Sequence, residues 1–219
     1  MRKNILLILL AGLLLTALPA TARFNAAKSD APKAYFGLRA GVGGSVYTNI
    51  DDPVAIGTPI GGIAIGFKVA KIPLYLETGA LYMNMGSKVK VWEWDWDDLH
   101  YRHWDRDSHH SGSTARYRKD YDSYTINNHS LMVPLVATYH LYASDNIIIQ
   151  PFTGFYASYG FDGKQMDFGL REGVGFSFGH LYVNLGVNIG VIGQDRDEKD
   201  YWLEDGQHGS LFLGVGVNF

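Results

Sequence analysis

Cysteine is absent from the 219 residues, which excludes disulfide and thiolate chemistry. That absence also suits passage through an oxidising periplasm. Excess charge of either sign is missing too. A formal net charge of −3 leaves no basic footprint for nucleic acid, so none is expected as a partner. Beyond residue 22 no apolar run approaches the roughly 20 residues that a membrane-spanning helix requires. Helix start and stop signals are nearly absent as well. What remains in abundance is glycine and aromatic residues: 26 Gly, 14 Tyr, 11 Phe and 5 Trp.

The N-terminus reads as an export signal. Arg2 and Lys3 form a positive n-region, and Ile5 to Leu15 is an apolar core interrupted only by Gly12. Ala20-Thr21-Ala22 supplies the small-x-small cleavage pattern, with cutting expected after Ala22. The core is too short for a span and ends at Pro19. Residues 1–22 are therefore assigned as signal peptide, 23–33 as a polar periplasmic leader and 34–219 as the mature domain.

The mature chain alternates between apolar and small or polar residues, the two-residue period of strands. Eight segments follow: Tyr35 to Val46, Ile60 to Val69, Leu74 to Met85, Ser130 to Tyr142, Ile147 to Gly160, Phe168 to Phe178, Leu181 to Ile192, and Leu211 to Phe219. The seventh is the clearest. Leu181, Val183, Leu185, Val187, Ile189 and Val191 oppose Tyr182, Asn184, Gly186, Asn188 and Gly190. Connections after the second, fourth and sixth segments are short, and the others are longer. Outer-membrane barrels show this asymmetry, with short periplasmic turns and long external loops. An even strand count places both termini on the periplasmic side. The fold class is thus an all-β, eight-stranded antiparallel up-and-down transmembrane barrel, located in the outer membrane of a Gram-negative cell.

Side-chain chemistry agrees. Arg39, Lys68, Glu77 and Arg171 all fall on the lumen-facing parity, where Lys68 and Glu77 are near enough to pair across a hairpin. Gly beside large Tyr or Phe suits the narrow interior of eight strands. Phe36, Phe67, Tyr82, Tyr139, Tyr159, Phe178 and Phe219 are candidates for interface girdles. Glu172 breaks the pattern, because its parity is lipid-facing. A bulge near Gly173 or a position near the interface would account for it.

Three stretches carry a family resemblance. They are Leu131-Met132-Val133-Pro134-Leu135-Val136-Ala137-Thr138-Tyr139, then Asp167-Phe168-Gly169-Leu170 with Gly173-Val174-Gly175, and the ending Gly214-Val215-Gly216-Val217-Asn218-Phe219. Leu76-Glu77-Thr78-Gly79-Ala80-Leu81-Tyr82 is also similar. Together they resemble the small outer-membrane β-barrel family that includes the PorT-like proteins. Arg171-Glu172 departs from the usual uncharged pattern. The resemblance implies outer-membrane lipid as surroundings and the barrel-assembly machinery as a partner read through Phe219. Some PorT-like proteins serve protein secretion, so a secretion-system partner is one implied class; strand motifs alone do not carry that role over.

The segment from Gly86 to His129 is unusual. It is expected to begin as an extension of the third and fourth strands beyond the membrane. It holds Trp92, Trp94, Trp96 and Trp104 with His100, His103, His109 and His110 and several Asp. Loops on a rigid scaffold often carry binding function, so Trp92, Trp94, Trp96, Trp104, His109 and His110 form the candidate site for an extracellular ligand. The structural alternative is a polar loop whose Trp residues pack on Tyr117, Tyr121 and Tyr124. His and Asp are metal-ligand types, but no H-E-x-x-H or comparable spacing appears. Asp195 to Asp200 lacks the EF-hand spacing and reads as a surface loop. No G-x-S-x-G elbow marks a nucleophile, and His140 reads as a packing residue. No metal, cofactor or catalytic residue is expected. The leading function is non-enzymatic, with external loops for binding or envelope structure. A small channel or secretion component is second, and a lipid-modifying enzyme third. A soluble lipocalin-like barrel is the alternative fold.

Overall fold

A computed structural model of the chain describes residues 32–48, 53–69, 72–92, 121–162, 165–191 and 207–219. The expected signal peptide and residues 23–31 of the expected leader lie outside the described residues. Twelve strands are numbered here in chain order: β1 (Ala34–Tyr47), β2 (Pro53–Val54), β3 (Ile56–Lys68), β4 (Leu74–Asn84), β5 (Ser87–Trp92), β6 (Tyr121–Ile126), β7 (His129–Tyr139), β8 (Leu141–Tyr142), β9 (Ile147–Gly160), β10 (Gln165–Phe178), β11 (Leu181–Gly190) and β12 (His208–Asn218).

Eight of these strands close into a barrel. Strands β1, β3, β4, β7, β9, β10, β11 and β12 pair in that circular order, each antiparallel to its neighbours, and β12 returns to β1 from Gly37↔Asn218 to Tyr47↔His208. Closure leaves no barrel strand with a free edge, the condition for strands to cross lipid, and the β4–β7 ladder is interrupted only opposite Val133 and Pro134. The expected second strand starts earlier than Ile60, at Ile56, and the sixth starts at Gln165. The fourth segment breaks at His140, whose amide leaves the ladder to donate to the carbonyl of Pro73 at 2.8 Å.

Alternation sorts side chains into two environments. Phe155 is 66% exposed while Tyr156 beside it is 2% exposed. The inner face is filled by two apolar clusters, Leu81, Met83, Met85, Met132 and Tyr156, and Val136, Phe152 and Phe212, both packed against Ile60. Small residues make room for large ones. A Cβ at Gly66 would strike the ring of Tyr35, and one at Gly173 would strike Phe152. The short turn after β10 needs glycine for another reason: Gly179 has φ 61°, the left-handed region that a side chain disfavours.

At the far end from the termini, β5 and β6 pair from Ser87↔Ile126 to Trp92↔Tyr121, and β2 joins them through Pro53↔Val89 and Val54↔Lys88. The expected extension of the third and fourth strands therefore exists, but as a separate three-stranded sheet. Asn84 marks the break. Its amide N–H donates to Thr58 Oγ1 at 2.8 Å, its side-chain oxygen accepts from the Asn128 amide at 2.9 Å, and its Nδ2 donates to Asn127 Oδ1 at 2.8 Å. Such side-chain bonds to the backbone compete with the ladder and end it.

Candidate functional site

The lumen is polar at its centre. Arg39 Nη2 lies 3.6 Å from Glu77 Oε2, and Tyr35 donates its hydroxyl to the same oxygen at 2.5 Å. Arg39 also donates to Asn218 Oδ1 at 2.7 Å and stacks 4.1 Å above the ring centre of Tyr182. Lys68 does not take the role expected of it. Register sets Lys68 against Tyr75 and Glu77 against Gly66, so the partner of Glu77 comes from β1 rather than from β3. Arg171 donates to Asn188 Oδ1 at 2.7 Å and lies 4.1 Å from the centre of the Phe212 ring, and no carboxylate of the described residues forms an ion pair with it. Between Arg39, Glu77, Arg171 and Asn184 lies a cavity of about 20 Å³, room for about one water. Buried side chains pack the lumen among the described residues.

Nearer the external end, three strands bring together residues remote in sequence. Ser45 Oγ lies 3.0 Å from His208 Nε2, and His208 Nδ1 lies 4.0 Å from Asp167 Oδ2. Asp167 Oδ2 accepts from the Tyr156 hydroxyl at 2.8 Å. The residue types are those of a hydrolytic triad, but the bonding is not. Ser45 gives its one proton to the carbonyl of Gly86 at 2.7 Å, so His208 must donate to Ser45 from Nε2. A base cannot draw a proton from a hydroxyl to which it donates. Ser45 is also fully buried. Ser45 ties β1 to β12 and, through the Gly86 carbonyl, to the residue before β5, while Asp167 on β10 is held by the Tyr156 hydroxyl. Sequence gave no sign of this arrangement, because the three side chains meet only through the closure of β12 on β1. At the opposite end His140 stacks on Tyr75 with ring centres 4.0 Å apart, the packing role expected of it.

The candidate ligand site divides. Trp92 is the last residue of β5, and its backbone pairs with Tyr121 of β6. Trp94, Trp96, Trp104, His109 and His110 lie outside the described residues, as do Tyr117 and the acidic run 195–200. The external sheet thus presents the ends of β5 and β6, between which residues 93–120 run.

The exterior settles the surroundings of the barrel. Leu38, Val42, Leu135, Phe155, Leu185 and Leu213 all point outward and are heavily exposed. Phe36, Phe67, Phe178 and Phe219 ring the end that carries the short turns, and Tyr82 and Tyr159 lie toward the other. A soluble barrel would place this apolar surface inside and polar residues outside. Here the order is inverted, which excludes the lipocalin-like alternative and makes the chain an integral β-barrel of the outer membrane. Neither explanation for Glu172 holds. The pairing of β10 with β9 and β11 runs through it without a bulge, Glu172↔Thr153 on one side and Glu172↔Val187 on the other, and it sits in mid-strand.

No protein-family model and no curated protein matches the sequence. Among solved structures the chain is similar to Neisserial surface protein A, at 12% identity and TM-score 0.47, over 86% of this chain and 98% of that one. It is similar to the N-terminal β-barrel domain of Pseudomonas aeruginosa OprF, at 14% identity and TM-score 0.39, over 84% and 97%. It is also similar to Ail, the attachment invasion locus protein of Yersinia pestis, at 10% identity and TM-score 0.38, over 86% and 100%. At these scores the likeness adds nothing to what strand register and exterior already establish.

Proposed function

We propose that this outer-membrane barrel is non-enzymatic and acts by recognition at the cell surface, through the β2–β5–β6 sheet and the loop it carries. The observation behind this reading is that a separate three-stranded sheet stands beyond the packed lumen and ends at Trp92 and Tyr121. Paired strands that fix both ends of a connecting segment lower the entropic cost of binding through it. Indole rings are suited to stacking on sugar faces, so an oligosaccharide is the class of ligand favoured. The test is an immobilised oligosaccharide array probed with the detergent-solubilised protein. The variant carrying Trp92→Ala, Trp94→Ala and Trp96→Ala should lose at least about tenfold in affinity, or about 1.4 kcal/mol. Equal binding by the two proteins, or binding by neither, removes the glycan reading.

Membership of the PorT-like group is part of the same proposal and rests on the strand residues that carry the resemblance. Those residues line and face the barrel wall, so they speak to assembly in the membrane more than to any secretion partner. The channel alternative predicts discrete conductance steps in planar bilayers; the packed interior predicts none.

A further inference from the structure

At the external end of the lumen two buried lone pairs face one gap. Ser45 gives its proton to the Gly86 carbonyl, so His208 donates to Ser45 from Nε2. The neutral ring then carries its lone pair on Nδ1. His208 Nδ1 has no hydrogen-bond partner, and it lies 4.0 Å from Asp167 Oδ2. Asp167 Oδ2 accepts from Tyr156, while its Oδ1 has no hydrogen-bond partner. Asp167 and His208 are 2% and 1% exposed. Among the described residues no Lys or Arg forms an ion pair with Asp167. A water between the two groups would satisfy the lone pairs but leave the carboxylate charge unpaired. Buried charges are paired or coordinate a metal ion.

The surroundings are those of a ligand pair. A metal-binding imidazole is held by a hydrogen bond at its other nitrogen, and a metal-binding carboxylate is itself hydrogen-bonded. Here Ser45 and Tyr156 supply those bonds. A zinc ion lies about 2.0–2.1 Å from imidazole nitrogen and about 2.0–2.2 Å from carboxylate oxygen, so it fits between atoms up to about 4.3 Å apart. A tetrahedral angle asks for a further closure of about 0.6 Å, and water completes the coordination. Imidazole with carboxylate selects first-row transition ions over Mg²⁺ and Ca²⁺. Asp167 is on β10 and His208 on β12, with β11 between them. Opposite them β11 presents Gly190, where a Cβ would stand 3.1 Å from Asp167 Oδ1 and 3.0 Å from the His208 amide nitrogen. Glycine there lets the two side chains meet across the middle strand. We propose that Asp167 and His208 hold a divalent transition-metal ion of the zinc class, which staples β10 to β12 at the external end of the lumen.

His100, His103, His109 and His110 can take zinc of their own, so the test uses the full-length chain with all four replaced by Ala. That protein is folded in detergent, stripped with a chelator and titrated with Zn²⁺ against a chromogenic chelator. It should bind one Zn²⁺ per chain, and Zn²⁺ should raise the urea midpoint of heat-modifiable migration, as a ligand of the folded state does. Asp167→Asn keeps the size of the side chain and an acceptor for Tyr156 but removes the charge. It should weaken Zn²⁺ binding at least about tenfold while the barrel still folds. His208→Gln should do the same, and Asp167→Asn decides alone if that variant does not fold. His180→Ala, at the opposite end, should change nothing. No bound Zn²⁺, a site that survives Asp167→Asn, or a midpoint indifferent to Zn²⁺ overturns the proposal.

Discussion

Arg171 and Glu172 are neighbours in the chain and lie on opposite sides of the barrel wall. Arg171 is 7% exposed and is met by Asn188 and the ring of Phe212. Glu172 faces outward with a single hydroxyl as partner. On the inner side of the wall Arg39, Glu77 and Arg171 each find a polar or aromatic neighbour at fixed distance. The outer side accepts almost none, since lipid supplies no hydrogen bonds. Charge on the inner face is therefore structural. Charge on the outer face stands against lipid with one hydroxyl beside it.

Substitutions can break that contrast from either side. The largest effect is expected inside. Glu77→Ala leaves the Arg39 guanidinium and the Tyr35 hydroxyl without their shared partner, and removing one member of a buried pair costs about 3–5 kcal/mol. The midpoint of urea unfolding, followed by heat-modifiable migration, should fall accordingly; an unchanged midpoint means the pair is not a structural tie. Leu185→Arg tests the outer face without a partner. Leu185 lies in the middle of β11 and is 48% exposed, and Arg near the midplane costs about 2–4 kcal/mol. The same titration measures it, and a loss below that range would place Leu185 nearer the interface.

Ser45→Ala should cost less, about 1–3 kcal/mol, by leaving His208 Nε2 and the Gly86 carbonyl without their bond. Lipid acylation in cells overexpressing the variant should match that of cells overexpressing the parent protein. A difference between them would restore the enzyme reading. The smallest effect on the fold is expected at Glu172. Glu172→Leu takes a carboxyl group off the lipid face and should raise the stability of the barrel, by less than the about 2–4 kcal/mol that Arg costs there. A large loss of stability would make Glu172 a structural residue like Arg171 and end the contrast.

Much of the architecture was legible from residues alone. The seventh segment, with Leu181 to Val191 on one parity and Tyr182 to Gly190 on the other, showed its two faces directly, because a period of two has only two phases. Short turns at Gly179-His180 and between Tyr142 and Ile147 showed which end of the barrel they occupy. Glu172 was visible as an exception but not its depth, since depth depends on where the neighbouring strands begin. The pairing of Glu77 was misread toward Lys68 because hairpin neighbours are visible in sequence, whereas the approach of β1 from the other side of the lumen is not. Of the candidate ligand residues, Trp92 stands at the end of β5, at the base of the proposed recognition loop.

The sequence by itself determined eight strands, their two faces and the alternation of short and long connections, with export an expectation read from its N-terminal residues. Each follows from local pattern: apolar run, alternation, turn residues and loop length. Tertiary structure alone decided which polar residues meet inside the wall, that β2 completes an external sheet with β5 and β6, and that Glu172 stands in mid-belt with Thr153. The reason is that a closed barrel sets its cross-lumen neighbours by strand number and stagger, which no single strand encodes.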